Sequence, residues 1–310
     1  MKLLISIFIS TILISQDCEN GFTYFEDIPV TTTSIPFGVN CFNNQDLDFL
    51  NDLNNNNLLN YSSPIEIGTQ TWFDGRLTNF VAGYYTSGVN TQISVIPESI
   101  SNVNNLRTLY MEWNNISTLP STFGELSELR NLYISNNQLE SIIDNIGDLI
   151  NLQILDLGYN YIETIPESIT TLDNLQYLWL FNNNISSLPQ NICNMDINWD
   201  ELDGLAYPYF AIGGNQLCEN VPECISNSPH FTQSLDQFYY SFMYESEQEC
   251  DATDVNDDGL WNILDVVLTV NFIMGNISPT EQEFNSADFN GDGILNILDI
   301  VQMVNFIVGN

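Results

Sequence analysis

Apolar positions recur with a fixed step through the middle of the chain. Leu106, Leu129, Leu152 and Leu175 stand 23 residues apart, and each opens the same run of apolar slots broken by an asparagine. The first run is Leu106, Leu109, Met111, Asn114, Ile116, Leu119, and the second is Leu129, Leu132, Ile134, Asn137, Leu139, Ile142. Leu152, Leu155, Leu157, Asn160, Ile162, Ile165 and then Leu175, Leu178, Leu180, Asn183, Ile185, Leu188 continue it. Such a period marks a structural repeat. After an insertion, Tyr207, Phe210, Ile212, Asn215 and Leu217 fall in the same slots, and an irregular unit ending at Ile93, Ile96 and Pro97 precedes them. Alternation such as Leu155 and Leu157 turns one face of a short strand inward. The asparagine amide is suited to bond exposed backbone of neighbouring coils at the following bend. Pro120, Pro166 and Pro189 then send the chain to the opposite side. Stacked coils bury one continuous core, which a single coil could not.

These slots resemble the leucine-rich repeat, and the resemblance covers about residues 77–225. Upstream, Asn44–Leu53 has helical spacing, and Trp72–Leu77 leads into the first coil, an arrangement similar to an N-terminal repeat cap with Cys18 and Cys41 as its staple. Downstream, Asn215–Cys224 resembles the C-terminal cap of extracellular leucine-rich proteins. That resemblance implies a bridge between Cys218 and Cys224 and leaves Cys193 and Cys250 as a remaining pair.

Residues between the buried leucines face outward on the inner surface of such a coil. They form columns: Thr108, Asn131, Ile154, Tyr177; Tyr110, Tyr133, Asp156, Trp179; and Glu112, Ser135, Gly158, Phe181. Tyr177, Trp179 and Phe181 are therefore expected to be exposed together and, with Tyr110 and Tyr133, to offer a ligand face. Exposed aromatic clusters anchor protein interfaces and stack on sugars. The columns suit a protein or a glycan ligand alike.

The last part of the chain is duplicated with an offset of 34 residues, from Asp254 to Asp288. Each copy has the oxygen spacing of an EF-hand loop, with side-chain ligands at positions 1, 3, 5 and 12, a carbonyl at 7, a water-mediated ligand at 9, and glycine at 6 for the sharp turn. Those slots hold Asp254, Asn256, Asp258, Gly259, Leu260, Asn262 and Asp265, then Asp288, Asn290, Asp292, Gly293, Ile294, Asn296 and Asp299. A flexible cage of hard oxygens suits calcium, because magnesium demands a smaller octahedron and keeps more water. Two calcium ions are expected. Position 12 is Asp where an EF-hand usually has Glu, and no helix clearly precedes either loop.

A loop and exit helix repeated without a leading helix is similar to the type I dockerin module. The resemblance implies docking onto a cohesin-like domain of a scaffold or cell surface, with loop positions 10 and 11 contacting the partner. Dockerins often place polar residues there, whereas this chain has Ile263-Leu264 and Ile297-Leu298. Helical spacing predicts that Ile263, Val267, Val270 and Met274 form one buried stripe, matched by Ile297, Val301, Val304 and Val308.

Charge then restricts the partners. The chain has 40 acidic residues against 4 basic ones, a formal charge of -36. This field repels nucleic acid and anionic lipid and attracts cations or basic partners, and it equally suits solubility in a salty medium. Met1–Ser15 reads as a secretory signal, a positive start followed by a short apolar run. Ser15-Gln16-Asp17 lacks the small residues of a lipoprotein box before Cys18, and no later stretch has the length of a membrane span. The protein is thus expected to be secreted or held at the cell surface, where its six cysteines serve as disulfides, with 15 pairings open to sequence alone. No catalytic constellation stands out, and His230 is the one histidine.

The expected fold class is α/β: a leucine-rich repeat solenoid (horseshoe) with capped ends, followed by a small all-α calcium-binding dockerin-like domain. The expected order is a signal at 1–16, an N-terminal cap region at 17–76, repeats with a C-terminal cap at 77–225, a connector at 226–250 and the calcium module at 251–310. The expected role is non-enzymatic recognition by the repeats and anchoring by the module. A structural or adhesive envelope component, or an accessory subunit of an extracellular polysaccharide-degrading complex, are the competing readings.

Overall fold

The computed structural model describes residues 18–36, 38, 40–85, 88–217, 221–238, 240–248, 254–256, 261–290 and 292–307. The secretory signal at 1–16, Cys218, Cys250, Asp258, Gly259, Leu260 and Val308 lie outside the described residues. Two compact units result, one of residues 1–215 with 219–247, the other of 216–218 with 248–310.

The first unit is built on a mainly parallel sheet. Its N-terminal part contains β1 (Phe22–Tyr24), β2 (Thr32–Ile35), β3 (Cys41–Asn43), α1 (Asn44–Asn56), β4 (Thr69–Phe73) and β5 (Arg76–Val81). One strand per repeat follows: β6 (Thr108–Tyr110), β7 (Asn131–Tyr133), β8 (Ile154–Asp156), β9 (Tyr177–Trp179) and β10 (Phe210–Ala211). Sheet order is β10-β9-β8-β7-β6-β5-β4-β2, and from β5 to β10 every neighbour is parallel. Thr108, Asn131, Ile154 and Tyr177 pair in register, so one 23-residue period advances the chain by one strand. Short 3₁₀ turns led by Pro97, Pro120 and Pro166 line the opposite side. Their fixed φ suits a turn entry that needs no N–H donor.

The core is the apolar slots of each period. Leu106, Leu109, Met111, Ile116 and their counterparts at Leu152, Leu155, Leu157 and Ile162 are buried. Burial removes each such side chain from water for about 1.5–3 kcal/mol. The asparagines at the bends are also buried, and each stitches adjacent coils. Asn160 Oδ1 accepts from the Leu139 N–H at 3.0 Å, while its Nδ2 lies 3.0 Å from the Leu157 carbonyl and 3.2 Å from that of Ile134. Asn114, Asn137, Asn183 and Asn215 repeat this pattern. The residue just before each of the first four, Trp113, Asn136, Tyr159 and Asn182, has φ between 51° and 59°.

At the N-terminal end, α1 starts from Asn43, whose side chain accepts from the Gln45 and Asp46 N–H groups. Phe49, Leu50 and Leu53 face the core. Asp46 is fully buried and paired with Arg76, whose Nε and Nη2 donate at 2.9 and 2.8 Å, and the Leu77 N–H adds a third bond at 2.8 Å. Burial raises the Asp46 carboxyl, and these donors pull it back. Cys18 bridges to Cys41.

Cys224, just inside α2 (Glu223–Ser226), pairs with Cys193 and not with Cys218. The expected Cys218–Cys224 bridge is corrected accordingly. The reason is local: α2 packs on the 3₁₀ turn Ile192–Asn194, which holds the two Cα atoms 5.7 Å apart, within disulfide reach.

Residues 226–247, expected as a connector, fold with the repeat unit. They carry an antiparallel ribbon of β11 (Gln233–Leu235) and β12 (Met243–Glu245). The Gly213 N–H donates to Gln233 O at 2.9 Å and the Gly214 N–H to Ser246 O at 2.8 Å, fixing the ribbon beside the final coil.

The second unit contains α3 (Ile263–Ile273), α4 (Glu281–Ala287) and α5 (Ile297–Ile307), with α3 packed on α5. Val255, Val266, Phe272, Ala287 and Met303 form its core, and Trp261 stacks on Phe289 at 5.5 Å. The predicted stripe is overturned here. Ile263, Val267 and Met274 on α3, and Ile297 and Val301 on α5, are exposed, while Val270 and Val304 are partly buried. Asp265 and Asp299 are needed inside to close their loops, and this rotates each helix so that Val266, Thr269, Phe272 and Met303 turn inward.

Candidate functional site

Two places gather functional groups, one in each unit. In the second unit, position 12 of each loop, Asp265 and Asp299, is an aspartate that the fold buries completely. Asp265 accepts from the N–H groups of Val255 at 3.0 Å, Asn256 at 3.2 Å and Asn262 at 2.7 Å. Asp299 accepts from Asn290 at 3.3 Å and Asn296 at 2.8 Å. Each aspartate therefore pulls the start of its loop onto the start of its exit helix.

In the second loop, Asp288 Oδ2 accepts from Gly293 N–H at 2.7 Å. The Asp292 N–H lies 2.9 Å from Asn290 Oδ1 and 3.2 Å from Asp288 Oδ1. Gly293 has φ +78°, a region open to glycine, and this lets the loop reverse at position 6. Oxygens of positions 1 and 3 thus crowd one strip of backbone. This donor set of carboxylates, amide oxygens and a carbonyl is the hard, mixed kind that suits calcium. Among the described residues no three acidic, histidine or cysteine groups gather as a metal cluster. In the second loop the asparagine and carbonyl oxygens that complete the set are not of those types. In the first loop Asp258 and Leu260 fall outside the described residues. Asn262 and Asn296 cap the exit helices, accepting from Leu264 and Leu298 N–H at 2.8 Å each.

Next to these loops, Ile263 is 59% exposed, Leu264 55%, Ile297 64% and Leu298 56%. Val267 and Val301 extend each pair along its helix and are also exposed.

In the first unit, the expected aromatic face is half covered. Trp179 is 6% exposed and Phe181 0%, so these two are not surface anchors. Tyr240, in the turn joining β11 to β12, packs edge-on against both rings at 5.8 Å. Trp179 Nε1 donates to Pro208 O at 2.8 Å, an acceptor supplied by the last repeat unit just before β10. Gly158 is the reason Phe181 can turn inward, because a Cβ there would stand 2.3 Å from its ring. Tyr177 remains half-buried, its hydroxyl donating to Asp203 at 2.8 Å. Tyr110 and Tyr133 stack face to face at 4.2 Å.

Tyr240 also closes a polar chain across three strands. Its hydroxyl lies 2.7 Å from Ser135 Oγ and 2.9 Å from Asp156 Oδ2, and Ser135 Oγ donates to Glu112 Oε1 at 3.3 Å. Burial, with Glu112's charge adding to it, pushes the Asp156 carboxyl up to about 8. Asp156 therefore holds its proton at neutral pH. Burial raises Glu112 as well, against the Ser135 hydroxyl that lowers it. Tyr85, Tyr110, Tyr133 and Tyr240 are all pushed above the usual phenol range by burial and nearby negative charge.

Of the hollows walled by Tyr240, two also take in residues of the inner columns. The larger, about 650 Å³, is lined by Tyr84, Tyr85, Glu112, Trp113, Gln237, Phe238 and Tyr240. The smaller, about 310 Å³, lies between Tyr133, Ile154, Tyr177, Trp179, Asp203, Tyr207 and Tyr240. The column positions place Tyr133 and Tyr177 at the smaller hollow. Tyr84, Tyr85, Phe238 and Tyr240 come from segments outside the period, so the repeat pattern carried no signal for them. Trp113 did leave one, as an indole in a slot where two other coils have Asn136 and Asn182. The lone histidine is elsewhere: His230 is buried, and desolvation lowers it.

No helix among the described residues is long and apolar enough to cross a membrane. Leucine-rich repeat families match residues 89–139, 127–170 and 174–195, and the family described as the dockerin type I domain matches residues 252–308. Both are interaction modules, and type I dockerins bind calcium in general. No protein of curated function matches the chain. Among solved structures, a leucine-rich repeat protein of Leptospira interrogans is 25% identical over 51% of this chain and 46% of its own, with a TM-score of 0.37. The chain thus spans less than half the length of that protein. The leucine-rich ectodomain of the receptor kinase SOBIR1 of Arabidopsis thaliana is 21% identical, covering 56% of this chain and 94% of its own, with a TM-score of 0.41. A plant ice-binding protein is 19% identical over 60% and 61%, with a TM-score of 0.47. The chain thus contains leucine-rich repeats over residues 89–195 and a type I dockerin domain over residues 252–308.

Proposed function

We propose that this is a secreted or cell-surface recognition protein without catalytic activity of its own. Its repeats form a capped horseshoe solenoid that binds a protein or glycan ligand. Its small all-α module, stabilised by two calcium ions, anchors it to a cohesin-like acceptor on a scaffold or cell. Asp254, Asn256, Asp258, Leu260, Asn262 and Asp265 would hold one ion, and Asp288, Asn290, Asp292, Ile294, Asn296 and Asp299 the other. Calcium would supply the charge that lets these oxygens converge.

One observation carries the reading: the twinned apolar pairs Ile263-Leu264 and Ile297-Leu298 stand exposed beside the calcium loops. Contiguous exposed apolar surface is costly to a chain that remains alone and marks an interface. The pairs sit at loop positions 10 and 11, where dockerins contact their partners, and their apolar character favours a less polar acceptor. Titration of the full chain with a panel of purified cohesin domains in calcium buffer is the test. Saturable binding to at least one is expected, lost with chelator and lost in an Ile263→Asp, Ile297→Asp double variant that still binds calcium. Binding to none of a broad panel would overturn the anchoring role. Capture of a specific ligand from the extracellular fraction, reduced by replacements in the tyrosine-lined hollows, tests the recognition role.

A further inference from the structure

The larger hollow of the repeat unit combines a set of aromatic rings with a carboxylate. Aromatic rings from three separate segments converge there: Tyr84 and Tyr85 after β5, Trp113 after β6, and Phe238 and Tyr240 from the ribbon turn. Trp113 and Phe238 stack at 5.3 Å with an interplanar angle of 18°, which fixes the ribbon turn against the coil and keeps the hollow open beside them. Into the same space comes one carboxylate, Glu112.

Glu112 is supported by the Ser135 hydroxyl and opposed by burial. Among the described residues, the groups shifted by its charge include Tyr85, Tyr110, Tyr133, Asp156 and Tyr240, none of them a cation. The chain has only 4 basic residues, and Arg76 is committed to Asp46. A half-buried carboxylate gains most from an opposite charge, and aromatic faces attract cations through their quadrupole. A calcium ion would find one carboxylate here where it wants six to eight oxygens. A softer, larger cation fits the rings.

We propose that this hollow is a binding site for an organic cation, an ammonium or guanidinium group, held by Glu112 and caged by Tyr84, Tyr85, Trp113, Phe238 and Tyr240. The formal charge of -36 draws such ligands toward the protein from a distance. A free amine and the side chain of a basic peptide present the same chemistry. The proposal rests on the reading of the repeats as the recognition end and narrows it to a ligand class.

The test is titration of the full chain, followed by tryptophan fluorescence and calorimetry. The probes are tetramethylammonium, butylammonium, methylguanidinium and a lysine-containing tripeptide, with 1-butanol as the neutral match to butylammonium and a neutral trisaccharide as the sugar arm. Saturable binding of at least one cation is expected, with the neutral alcohol about tenfold weaker or absent. The tripeptide binding well above butylammonium would identify a peptide source, and equal affinities a free amine. Glu112→Gln keeps the acceptor for Ser135 and should lower affinity about tenfold. Trp113→Asn removes the indole at a slot where Asn136 and Asn182 already sit at positive φ, so it should fold normally and also weaken binding. Equal binding of the alcohol, preferential binding of the trisaccharide, or no effect of either variant would overturn the proposal. Capture of an extracellular ligand that survives both variants would sink this site and leave the recognition role standing. Saturable cation binding with no extracellular ligand captured would do the reverse.

Discussion

Replacing Asp156 by asparagine should remove the main pH dependence of stability of the repeat unit near neutrality. In the folded chain the Asp156 carboxyl is raised from 3.8 to about 8 by burial and by Glu112. The folded state therefore holds a proton that the unfolded chain releases. The sign follows: the contribution is complete below the unfolded value of 3.8 and is lost as pH rises through about 8. At ~1.4 kcal/mol per pH unit, that interval sets a ceiling of ~6 kcal/mol, and sharing of the proton with Glu112 brings the expected loss to ~2–5 kcal/mol. The amide introduced by Asp156→Asn cannot ionise, yet its oxygen still accepts from Gly158 N–H or Tyr240. The window between about pH 6 and pH 9 contains few other titrations. His230 is pushed down by burial, and Tyr85, Tyr110 and Tyr133 are pushed up. Urea midpoints read by tryptophan fluorescence suit the measurement, because Trp72, Trp113, Trp179 and Trp199 belong to the repeat unit and Trp261 alone does not. The unaltered chain should lose midpoint as pH rises from about 6 to about 8 and level off above it, whereas Asp156→Asn should stay flat throughout. Parallel curves for the two proteins would refute the reasoning, since they would mean that Asp156 carries no excess proton in the folded state.

Asn160→Ala orphans the buried Leu139 N–H, while the Ile134 and Leu157 carbonyls keep the amides of Asn137 and Asn183 and the Gly158 carbonyl keeps the Asn136 N–H, and it should cost ~1–3 kcal/mol. Asn115→Ala, which removes exposed bonds to Gln92 and Gln138, should cost under ~0.5 kcal/mol in the same denaturation assay, and equal losses would undo the ladder argument. Replacing Cys193 and Cys224 together by Ala opens a loop of 31 residues and should lower stability by ~3–4 kcal/mol, whereas a null result would mean that α2 docks without the bridge. Calorimetry should show two calcium equivalents for the intact chain and one for Asp288→Ala. Two equivalents in that variant would remove Asp288 from the ligand set.

The order of coils was fully legible in the chain, because a 23-residue period must place equivalent side chains in equivalent slots. The asparagine ladder was legible for the same reason, as a buried amide at a bend has only backbone to bond. The duplicated dockerin module was readable because the oxygen spacing of an EF-hand-like loop is local, spanning 12 positions of continuous chain. Tertiary structure decided the rest. Trp179 and Phe181 look like surface residues in any single strand, and they become core only because residues 233–245 return across that face. Cys224 meets Cys193 and not the nearer Cys218 because packing of α2 on a distant turn sets the distance. The exit helices rotated away from their expected stripe because closing each loop on a buried aspartate outweighs burying a few more apolar atoms. Glu112, Trp113 and Tyr240 form one site through contacts between segments far apart in the chain, and a periodic pattern records only what repeats.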